Sequence, residues 1–434
     1  MATFLIAVWP FRSHYFPLVG IALALKRAGH QVAFYSGPEA RPVVEEEGFS
    51  FFPFERVDGE KVNQIMFARE EYASWHMPFR FRSLLQEWLL GTVPAQVSDL
   101  RAVVRRFRPD VVVTETSMWA PLLILREKDD VPVAVFSTVA ACLIPGPDAP
   151  PFGLGLPRPR SGATRMVASA AEATVRALSQ RMREGANAVR RDFGLPPLPG
   201  SVTEHAGTMD LYLVPSTRDF DYDRRDLPPN VRYVGPCVWN KRREEPTPSW
   251  LPALRRPLVH VTEGTMHAGK PILLRAAALG LSGLPLSVVM TTGGRALEGT
   301  AGIGPLGANV RVEDWVPHAD LMPLTDVLVT TGGAGTVMTA LAAGVPMVVV
   351  PTEWDKPENA QRVVEAGAGI RISPWRLDAQ RLRRAVGRLL NEPGFRDSAR
   401  RMRDGLRGLD GLAESARLLS GLAASVSKHE PVPV

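Results

Sequence analysis

Short apolar runs alternate with helical patterns along the first third of the chain. The run Phe4–Val8 has the length and composition of a buried parallel strand, and apolar residues then recur at helical spacing. Val32–Tyr35 returns as a second strand. The alternation continues with strands at Val111–Val113 and Pro132–Phe136 and a helix over Trp119–Glu127 between them. This rhythm predicts a parallel, doubly wound sheet.

A second alternation of the same kind follows a break in the pattern. The stretch Gly235–Trp250 is charged, contains proline and has no period, which is typical of a linker between domains. After it, the apolar runs predict strands at Leu258–Thr262, Ser287–Thr292, Val310–Val312, Val327–Thr330 and Met347–Val350. The sequence therefore predicts an α/β protein with two tandem Rossmann-like domains, each doubly wound.

The breaks in the pattern also predict the domain boundaries. Residues 1–236 form the N-terminal domain, 237–255 the linker and 256–405 the C-terminal domain. Residues 406–434 comprise a C-terminal helix and a tail, and we expect them to pack back on the N-terminal domain. Two domains agree with the length of 434 residues, which exceeds what one hydrophobic core usually supports.

Two irregular segments interrupt the first alternation. The first, 57–88, is dense in aromatic residues, and the second, 144–159, is rich in proline and glycine. Both follow predicted strands on the side of the sheet where open α/β proteins bind ligands. One interpretation is an apolar binding cleft, and the other is ordinary packing beneath long loops. The residues assigned to the cleft are Phe67, Trp75, His76 and Phe79.

Composition excludes several classes of protein. Hydrophobic residues make up 45% and charged residues 22%, which excludes an intrinsically disordered chain. No apolar run reaches the roughly 18 to 20 residues of a membrane helix, so we expect a cytoplasmic protein. The net charge of +6 comes from scattered arginines without interleaved aromatics, so no nucleic-acid partner is predicted. Cys142 and Cys237 lie too far apart in sequence to indicate a disulfide framework or a metal site.

A glycine-rich turn between a predicted strand and a predicted helix is the strongest local signal. Val327–Thr330 leads into the turn Thr331–Thr336, whose backbone N–H groups would point out from a helix N-terminus. Such a turn suits a phosphate, because glycine lets the anion approach the backbone. It is neither a P-loop nor a G-x-G-x-x-G fingerprint. Taken alone, it is equally typical of a tight connection.

Residues around this turn add the other parts of a nucleotide-sugar site. Trp315, with Pro317 and His318, offers a flat face for a base. Asp355, Glu358 and Asn359 follow a later strand. Their side chains can form hydrogen bonds with the hydroxyl groups of a sugar, so they are candidate sugar ligands. A base, a pyrophosphate and a polyol are the three parts of a nucleotide sugar.

The spacing of these residues resembles a known family. The run WVPH-x(11)-TTGGAGT-x(3)-AL-x(2)-GVP-x(4)-P-x(3)-DK-x(2)-NA-x-RV looks like the donor signature of the family 1 glycosyltransferases. The stretch Ser13–Pro17 is similar to their opening motif, and the likeness covers almost the whole chain. The sequence looks most like the bacterial natural-product (macrolide-type) enzymes. The resemblance implies the two-domain glycosyltransferase-B fold, with the domains facing across a cleft, and an inverting reaction.

The resemblance also implies roles for individual residues. By this resemblance Trp315 stacks on the nucleobase, and His318 stands where the family has a Gln that contacts the nucleobase. Asp355 and Lys356 take the place of an Asp-Gln pair that binds the transferred sugar. The implied donor-binding residues are Thr265, Trp315, His318, Thr331, Gly332, Gly333, Gly335, Thr336, Asp355, Lys356 and Asn359.

The implied catalytic residues are His14 and Glu115. An acceptor hydroxyl is a poor nucleophile, and an imidazole that titrates near neutral pH can take its proton as the new bond forms. A carboxylate on the other ring nitrogen fixes the tautomer and stabilises the imidazolium. His14 matches the family's general base, and Glu115 stands where the family has its Asp partner.

Three positions depart from the family pattern. Thr331 stands where a histidine usually contacts the phosphate, Lys356 replaces the sugar-binding Gln, and Glu115 is one methylene longer than Asp. The first change removes a positive charge near the phosphate and the second adds one. Our hypothesis is that Lys356 compensates for the charge lost at position 331.

One further motif suggests a metal site. Residues 219–223 contain the Asp-x-Asp spacing of metal-dependent glycosyltransferases, but we expect a solvated turn there. We therefore predict no metal and no cofactor, with a UDP- or dTDP-linked sugar as co-substrate and a small hydrophobic acceptor such as a polyketide, phenolic or terpenoid. The expected oligomeric state is a monomer or weak dimer. The alternatives are a nucleotide-sugar 2-epimerase and a non-catalytic binding or auxiliary protein.

Overall fold

Two parallel sheets organise the chain in the computed structural model. The structure describes residues 1–67, 85–147, 149–222, 224–239, 247–265, 270–294 and 302–426. Of the residues assigned to an acceptor cleft, Trp75, His76 and Phe79 lie outside this part of the chain. Phe67 ends a helix, Gly59–Phe67, and its side chain also lies outside the described part.

The first sheet has seven parallel strands in the order β3-β2-β1-β4-β5-β6-β7. Successive residues of β1 point to opposite faces, so Leu5 and Ala7 join one hydrophobic cluster while Phe4 and Ile6 join another. Because both faces are covered, the strand reads as one continuous apolar run. The strands are β1 Thr3–Ala7, β2 Gln31–Ser36, β3 Ser50–Pro53, β4 Val111–Glu115, β5 Val133–Phe136, β6 Leu211–Val214 and β7 Val231–Tyr233.

Helices connect these strands and cover both faces of the sheet. The longest, Gly162–Asp192, is capped by Ser161. The Ser161 hydroxyl accepts the backbone N–H of Thr164, and the Thr164 hydroxyl accepts the backbone N–H of Ser161, which makes a capping box. The α-helices of this half are Arg12–Arg27, Arg41–Glu46, Gly59–Phe67, Val93–Phe107, Arg126–Lys128, Gly162–Asp192 and Val202–Ala206, with a 3-10 turn at Pro38–Ala40 and π-helical turns at Glu87–Gly91 and Pro121–Leu125.

The second sheet has six parallel strands in the order β10-β9-β8-β11-β12-β13. Its strands are β8 Leu258–Thr262, β9 Ser287–Thr291, β10 Val310–Glu313, β11 Val327–Thr330, β12 Met347–Val349 and β13 Gly369–Arg371. The α-helices of this half are Ile272–Leu281, His318–Leu321, Ala334–Ala343, Lys356–Glu365, Ala379–Asn391 and Pro393–Leu406, with 3-10 turns at Leu251–Ala253, Met322–Leu324 and Pro374–Arg376. Both halves are therefore doubly wound.

The last helix, Gly411–Val426, returns to the first sheet. Its buried side chains, Ala416, Leu419 and Ala423, belong to the same hydrophobic cluster as the helix Arg12–Arg27. The approach is close, since a Cβ on Gly20 would lie 2.9 Å from Leu412 Cδ2. The C-terminal segment is thus part of the N-terminal core.

Candidate active site

The catalytic pair implied by the sequence lies where the strand order of the first sheet reverses. His14 is in the first turn of the helix that follows β1, and Glu115 is the last residue of β4, the strand next to β1. The order β3-β2-β1-β4 reverses direction between β1 and β4, which opens a crevice at the carboxyl ends of these two strands. Strand adjacency therefore brings together two residues that are 101 positions apart.

The two side chains are hydrogen-bonded. His14 Nδ1 lies 3.1 Å from Glu115 Oε1, and the Glu115 side chain is fully buried while that of His14 is 17% exposed. The edge of the His14 ring also meets the ring of Phe11, with 5.3 Å between centroids. With Nδ1 facing Glu115, the other ring nitrogen, Nε2, is the one available to a substrate.

Ser117 holds the Glu115 carboxylate in place. The Ser117 amide donates to Glu115 Oε2 at 2.6 Å, and its hydroxyl lies 2.8 Å from each carboxylate oxygen. The indole of Trp9 donates to the Ser117 carbonyl at 3.0 Å and so fixes this turn to the end of β1. Sequence reasoning missed Ser117, because nothing but its position two residues after Glu115 marks it.

The glycine-rich turn lies at the corresponding reversal of the second sheet, between β8 and β11. Gly332 has φ +96°, and a Cβ there would lie 2.6 Å from Val349 Cγ1, so this position requires glycine. Gly333 is the N-cap of the helix Ala334–Ala343, and a Cβ on Gly333 or Gly335 would meet only open space. Thr336, half-buried, lies in the first turn of the helix. Open space at a helix N-terminus suits an anion.

Thr331 ties this turn to the neighbouring one. Its buried hydroxyl donates to the carbonyl of Glu263 at 3.0 Å, which joins the end of β11 to the turn after β8. In that second turn Gly264 has φ +79°, and the half-buried Thr265 follows it. The Thr331 hydroxyl, assigned to the donor from sequence, thus has a structural partner in the protein.

Asp355 and Asn359, which the sequence assigns to the sugar, lie beside the glycine-rich turn. The Asn359 amide donates to the Gly332 carbonyl at 2.8 Å and to Asp355 Oδ2 at 2.7 Å, so both residues are fixed to the glycine-rich turn. Burial raises the pKa of Asp355, while Asn359, the Lys356 ammonium and the His14 imidazole act against that shift. Burial therefore opposes a negative charge on Asp355, and the groups around the carboxylate partly offset that effect.

Lys356 is almost completely buried at the start of its helix, and its side chain bonds within its own loop. Its Nζ donates to the Thr352 hydroxyl at 3.0 Å and lies 3.5 Å from a carboxylate oxygen of Glu353. The hypothesis that Lys356 compensates for Thr331 therefore has to allow for the carboxylate of Glu353, which already balances part of the ammonium charge.

The residues assigned to the nucleobase of the donor lie after β10. Trp315 is half-buried, and His318 begins the short helix His318–Leu321. The ring of His318 packs edge-on against His260 of β8, with 5.5 Å between centroids. Burial lowers the pKa of His318 to about 4, so the imidazole is neutral near pH 7 and carries both a donor and an acceptor, like the Gln it replaces.

Two interpretations from sequence are wrong. Asp221, expected in a solvated turn, is buried and pairs with Arg362, with 2.9 Å from its Oδ1 to Arg362 Nη2. Glu358, suggested as a sugar ligand, is buried too and accepts the backbone N–H groups of Gly153 and Gly155. Both carboxylates join the two halves of the molecule. Asp223 lies outside the described residues.

Among the described residues, no cluster of three or more His, Cys, Asp or Glu side chains is arranged to hold a metal ion. No described helix combines the length and apolarity needed to cross a membrane.

Comparisons with known proteins decide the family. The family described as "Erythromycin biosynthesis protein CIII-like, C-terminal domain" matches residues 281–409, the part that holds the glycine-rich turn. The chain is 36% identical to 4'-demethylrebeccamycin synthase of Lentzea aerocolonigenes over 97% of its length and 99% of that protein. It belongs to the macrolide-type natural-product glycosyltransferases. This glycosyltransferase is also 30% identical to demethyllactenocin mycarosyltransferase of Streptomyces fradiae, with 97% and 87% of the two chains covered.

Solved structures agree on the architecture of the glycosyltransferase. It matches the glycosyltransferase of kitacinnamycin with a TM-score of 0.75 at 23% identity, over 97% of this chain and 99% of that one. It matches the glycosyltransferase VinC in complex with dTDP with a TM-score of 0.68 at 24% identity, over 98% and 100% of the two chains. The predicted glycosyltransferase-B fold is confirmed.

Proposed function

We propose that this glycosyltransferase moves a sugar from a UDP- or dTDP-linked donor to a hydroxyl group of a small hydrophobic acceptor, with inversion at the anomeric carbon. The observation that carries the proposal is the hydrogen-bonded pair His14 and Glu115 at the carboxyl end of the first sheet. A general base held by a buried carboxylate suits a direct displacement by the acceptor hydroxyl.

His14 is the general base in this proposal. Its Nδ1 is engaged by Glu115, so Nε2 takes the proton of the acceptor hydroxyl. As that proton moves, the acceptor oxygen bonds to the anomeric carbon, and the bond between that carbon and the diphosphate oxygen breaks. Glu115 holds the tautomer and stabilises the imidazolium. Attack from the face opposite the leaving group turns an α-linked donor into a β-glycoside.

The leaving diphosphate is placed at the N-terminus of the helix Ala334–Ala343. Backbone N–H groups at Gly333 and Gly335, together with the helix dipole, favour the negative charge that develops there. In this proposal Trp315 and the neutral His318 hold the base, and Asp355 with Asn359 holds the sugar. Leaving-group charge is thus met without a metal or cofactor.

Relatives support the choice of substrates. The names of two relatives refer to rebeccamycin-type and mycarose-containing products, and VinC was crystallised with dTDP. We therefore place the acceptor among polyketides, phenolics or terpenoids and the donor among UDP- and dTDP-sugars. We further place the reaction in the cytoplasm, with a monomer or weak dimer as the active species.

An assay of released nucleotide tests the proposal. Purified enzyme is given UDP-glucose or dTDP-glucose with a panel of phenolic, polyketide and terpenoid alcohols, and each product is identified by mass and by the anomeric proton coupling. We expect a β-glycoside, with one nucleotide diphosphate released for each glycoside or free sugar formed. A nucleotide-sugar product would indicate a 2-epimerase. Binding of nucleotide without any turnover across the panel would indicate a non-catalytic protein, and either result would overturn the proposal.

A further inference from the structure

The helix Lys356–Glu365 touches the donor site at one end and the other half of the molecule along its length. At its start, Asn359 joins Asp355 to the glycine-rich turn. One turn further on, Arg362 reaches Asp221, which follows β6 of the first sheet. One rigid element therefore connects the sugar-binding residues with the domain that carries His14.

The pair formed by Arg362 and Asp221 is buried and fully engaged. Arg362 Nε and Nη2 donate to Asp221 Oδ1 at 3.1 and 2.9 Å, and Nη1 donates to Glu358 Oε2 at 3.2 Å. The second oxygen of Asp221 accepts the amide of Cys142 and the hydroxyl of Tyr233, each at 2.8 Å. The three charged side chains are at most 4% exposed. Loss of Arg362 would leave two buried carboxylates without the cation they share, and loss of Asp221 would leave Arg362 paired with Glu358 alone.

A second contact lies beside this pair. Residues 149–160, which we call the strap, run from the first half of the chain across the helix. Glu358 Oε1 accepts the N–H groups of Gly153 and Gly155 at 3.0 and 2.7 Å, and Arg371 donates to the Gly155 carbonyl at 2.7 Å. Gly155 has φ +57°, and a Cβ there would lie 2.5 Å from the Pro357 carbonyl oxygen. Only glycine allows the strap to approach so closely.

We propose that Arg362 and Asp221 are positioning residues for sugar transfer, which hold the sugar-binding end of the helix Lys356–Glu365 in register with His14. This inference rests on the proposed function of the site. Neither residue is assigned to touch substrate, and both act through the helix.

The geometry of an α-helix supports this role. Asp355 and Asn359 are four residues apart, as are Glu358 and Arg362, so the two pairs form neighbouring stripes on one helix. A shift of Glu358 and Arg362, which contact the other half, therefore also moves Asp355 and Asn359, which are assigned to the sugar. Misplacing reacting groups by about 1 Å costs on the order of a hundredfold in rate, so a small loss of register is measurable.

The test compares transfer with hydrolysis of the donor. Water competes with the acceptor hydroxyl for the anomeric carbon, and each hydrolysis releases a free sugar and a nucleotide diphosphate. The ratio of glycoside to free sugar does not depend on how much of the protein is folded. Asp221→Asn keeps the shape of the side chain and removes its charge, and Arg362→Lys keeps the charge and loses the forked contact. We expect the ratio to fall about tenfold or more in both variants.

A matched control distinguishes positioning from general damage to the fold. Arg190 and Glu127 form a second ion pair, with Nη2 and Oε2 2.9 Å apart, in which Arg190 is buried and Glu127 is 34% exposed, and both lie within the first half of the molecule. Glu127→Gln should lower stability and leave the ratio of glycoside to free sugar unchanged. Nucleotide affinity, measured by calorimetry, should stay within about twofold of wild type in all three variants, because the residues assigned to the nucleobase and the diphosphate all belong to the second half of the molecule.

The possible outcomes separate the two proposals. A lower ratio in Asp221→Asn and Arg362→Lys, with an unchanged ratio in Glu127→Gln, supports positioning. An unchanged ratio in both interface variants, while the wild type transfers sugar normally, overturns the positioning role and leaves the proposed function intact. Absence of transfer by the wild type across all donors and acceptors would instead overturn the proposed function.

Discussion

At the scale of single residues, the proposed catalytic pair shows how a longer carboxylate can occupy the position of a shorter one. Glu115 carries one methylene more than the Asp of the family, yet its Oε1 still reaches His14 at 3.1 Å. The amide and hydroxyl of Ser117 bind both oxygens, which fixes the rotamer of the longer side chain. The sequence resemblance predicted the pair, but not Ser117, whose role depends on a turn geometry that no residue pattern encodes.

His14→Ala should abolish transfer and leave nucleotide binding intact. In the proposal the general base acts on the acceptor and lies on the helix Arg12–Arg27 of the first half, whereas the turn assigned to the phosphate lies in the second half. Loss of a positioned base costs on the order of a hundredfold or more in rate. Steady-state rates with an unactivated alcohol and calorimetric titration of UDP and dTDP measure the two effects. Wild-type turnover in the variant would rule out His14 as the base.

His318→Gln should make the protein less sensitive to mild acid. Burial lowers the pKa of His318 to about 4, whereas an imidazole in the unfolded chain titrates near 6.5. Between these values the unfolded chain takes up a proton that the folded chain does not, so stability falls as the pH falls from about 6.5 to 4. The variant lacks this group, and its Tm should fall less over that range. Identical pH profiles of Tm for the wild type and the variant would show that the pKa of His318 is not lowered in the folded protein.

At the scale of elements, the glycines of the single turn after β11 differ in what requires them. Gly332 is required by its positive φ and by contact with Val349, whereas Gly335 lies in the first helical turn beside open space. Sequence spacing placed both in one phosphate-binding turn and could not separate them, because φ and neighbouring side chains follow from the packing of β11 against β12.

Gly335→Ala and Gly332→Ala should therefore have opposite effects on stability. Alanine at 335 favours the helix by up to about 1 kcal/mol, while its methyl group fills the space assigned to the phosphate and weakens nucleotide binding. Alanine at 332 should destabilise the fold by about 1 to 3 kcal/mol because of its positive φ and close contact. Urea unfolding and calorimetric titration with UDP measure both properties. Tighter nucleotide binding by Gly335→Ala would exclude a phosphate at this turn.

Excess chelator should leave transfer unchanged. The proposal assigns the leaving-group charge to the N-terminus of the helix Ala334–Ala343, and Asp221 is already neutralised by Arg362. Initial rates are compared with and without EDTA, and then with added magnesium or manganese as the control. Activity that disappears with EDTA and returns with either metal would contradict the proposal.

At the scale of the whole molecule, the sequence predicted the fold class well and the contacts between the halves poorly. The β8 and β11 strands were evident from short apolar runs, because strands buried on both faces contain little else. Asp221 and Arg362 are 141 residues apart, and each looks like an ordinary surface charge in its own segment. A local pattern carries no information about which charged residues meet across an interface.

Leu419→Ala should destabilise the N-terminal core, although the residue is near the end of the chain. Leu419 is fully buried in the cluster that includes the helix Arg12–Arg27. Removing a buried leucine costs about 2 to 5 kcal/mol, and we expect urea unfolding to show a loss of that size. Arg417→Ala, at an exposed position of the same helix, is the control and should change stability by less than about 0.5 kcal/mol. Equal effects of the two substitutions would show that the helix does not pack on this core.

The return of the last helix gives the second half of the chain the topology of an insertion. The chain leaves the first half near Gly235 and re-enters it near Gly411, and the two crossings touch, since a Cβ on Gly411 would lie 2.5 Å from the Pro236 carbonyl oxygen. A hybrid enzyme with a donor half from a relative should therefore exchange an internal cassette, between residues 256 and 405, and keep its own final helix. A hybrid joined only at the linker would import a foreign helix against Gly20, where even a Cβ would lie 2.9 Å from Leu412 and Trp239.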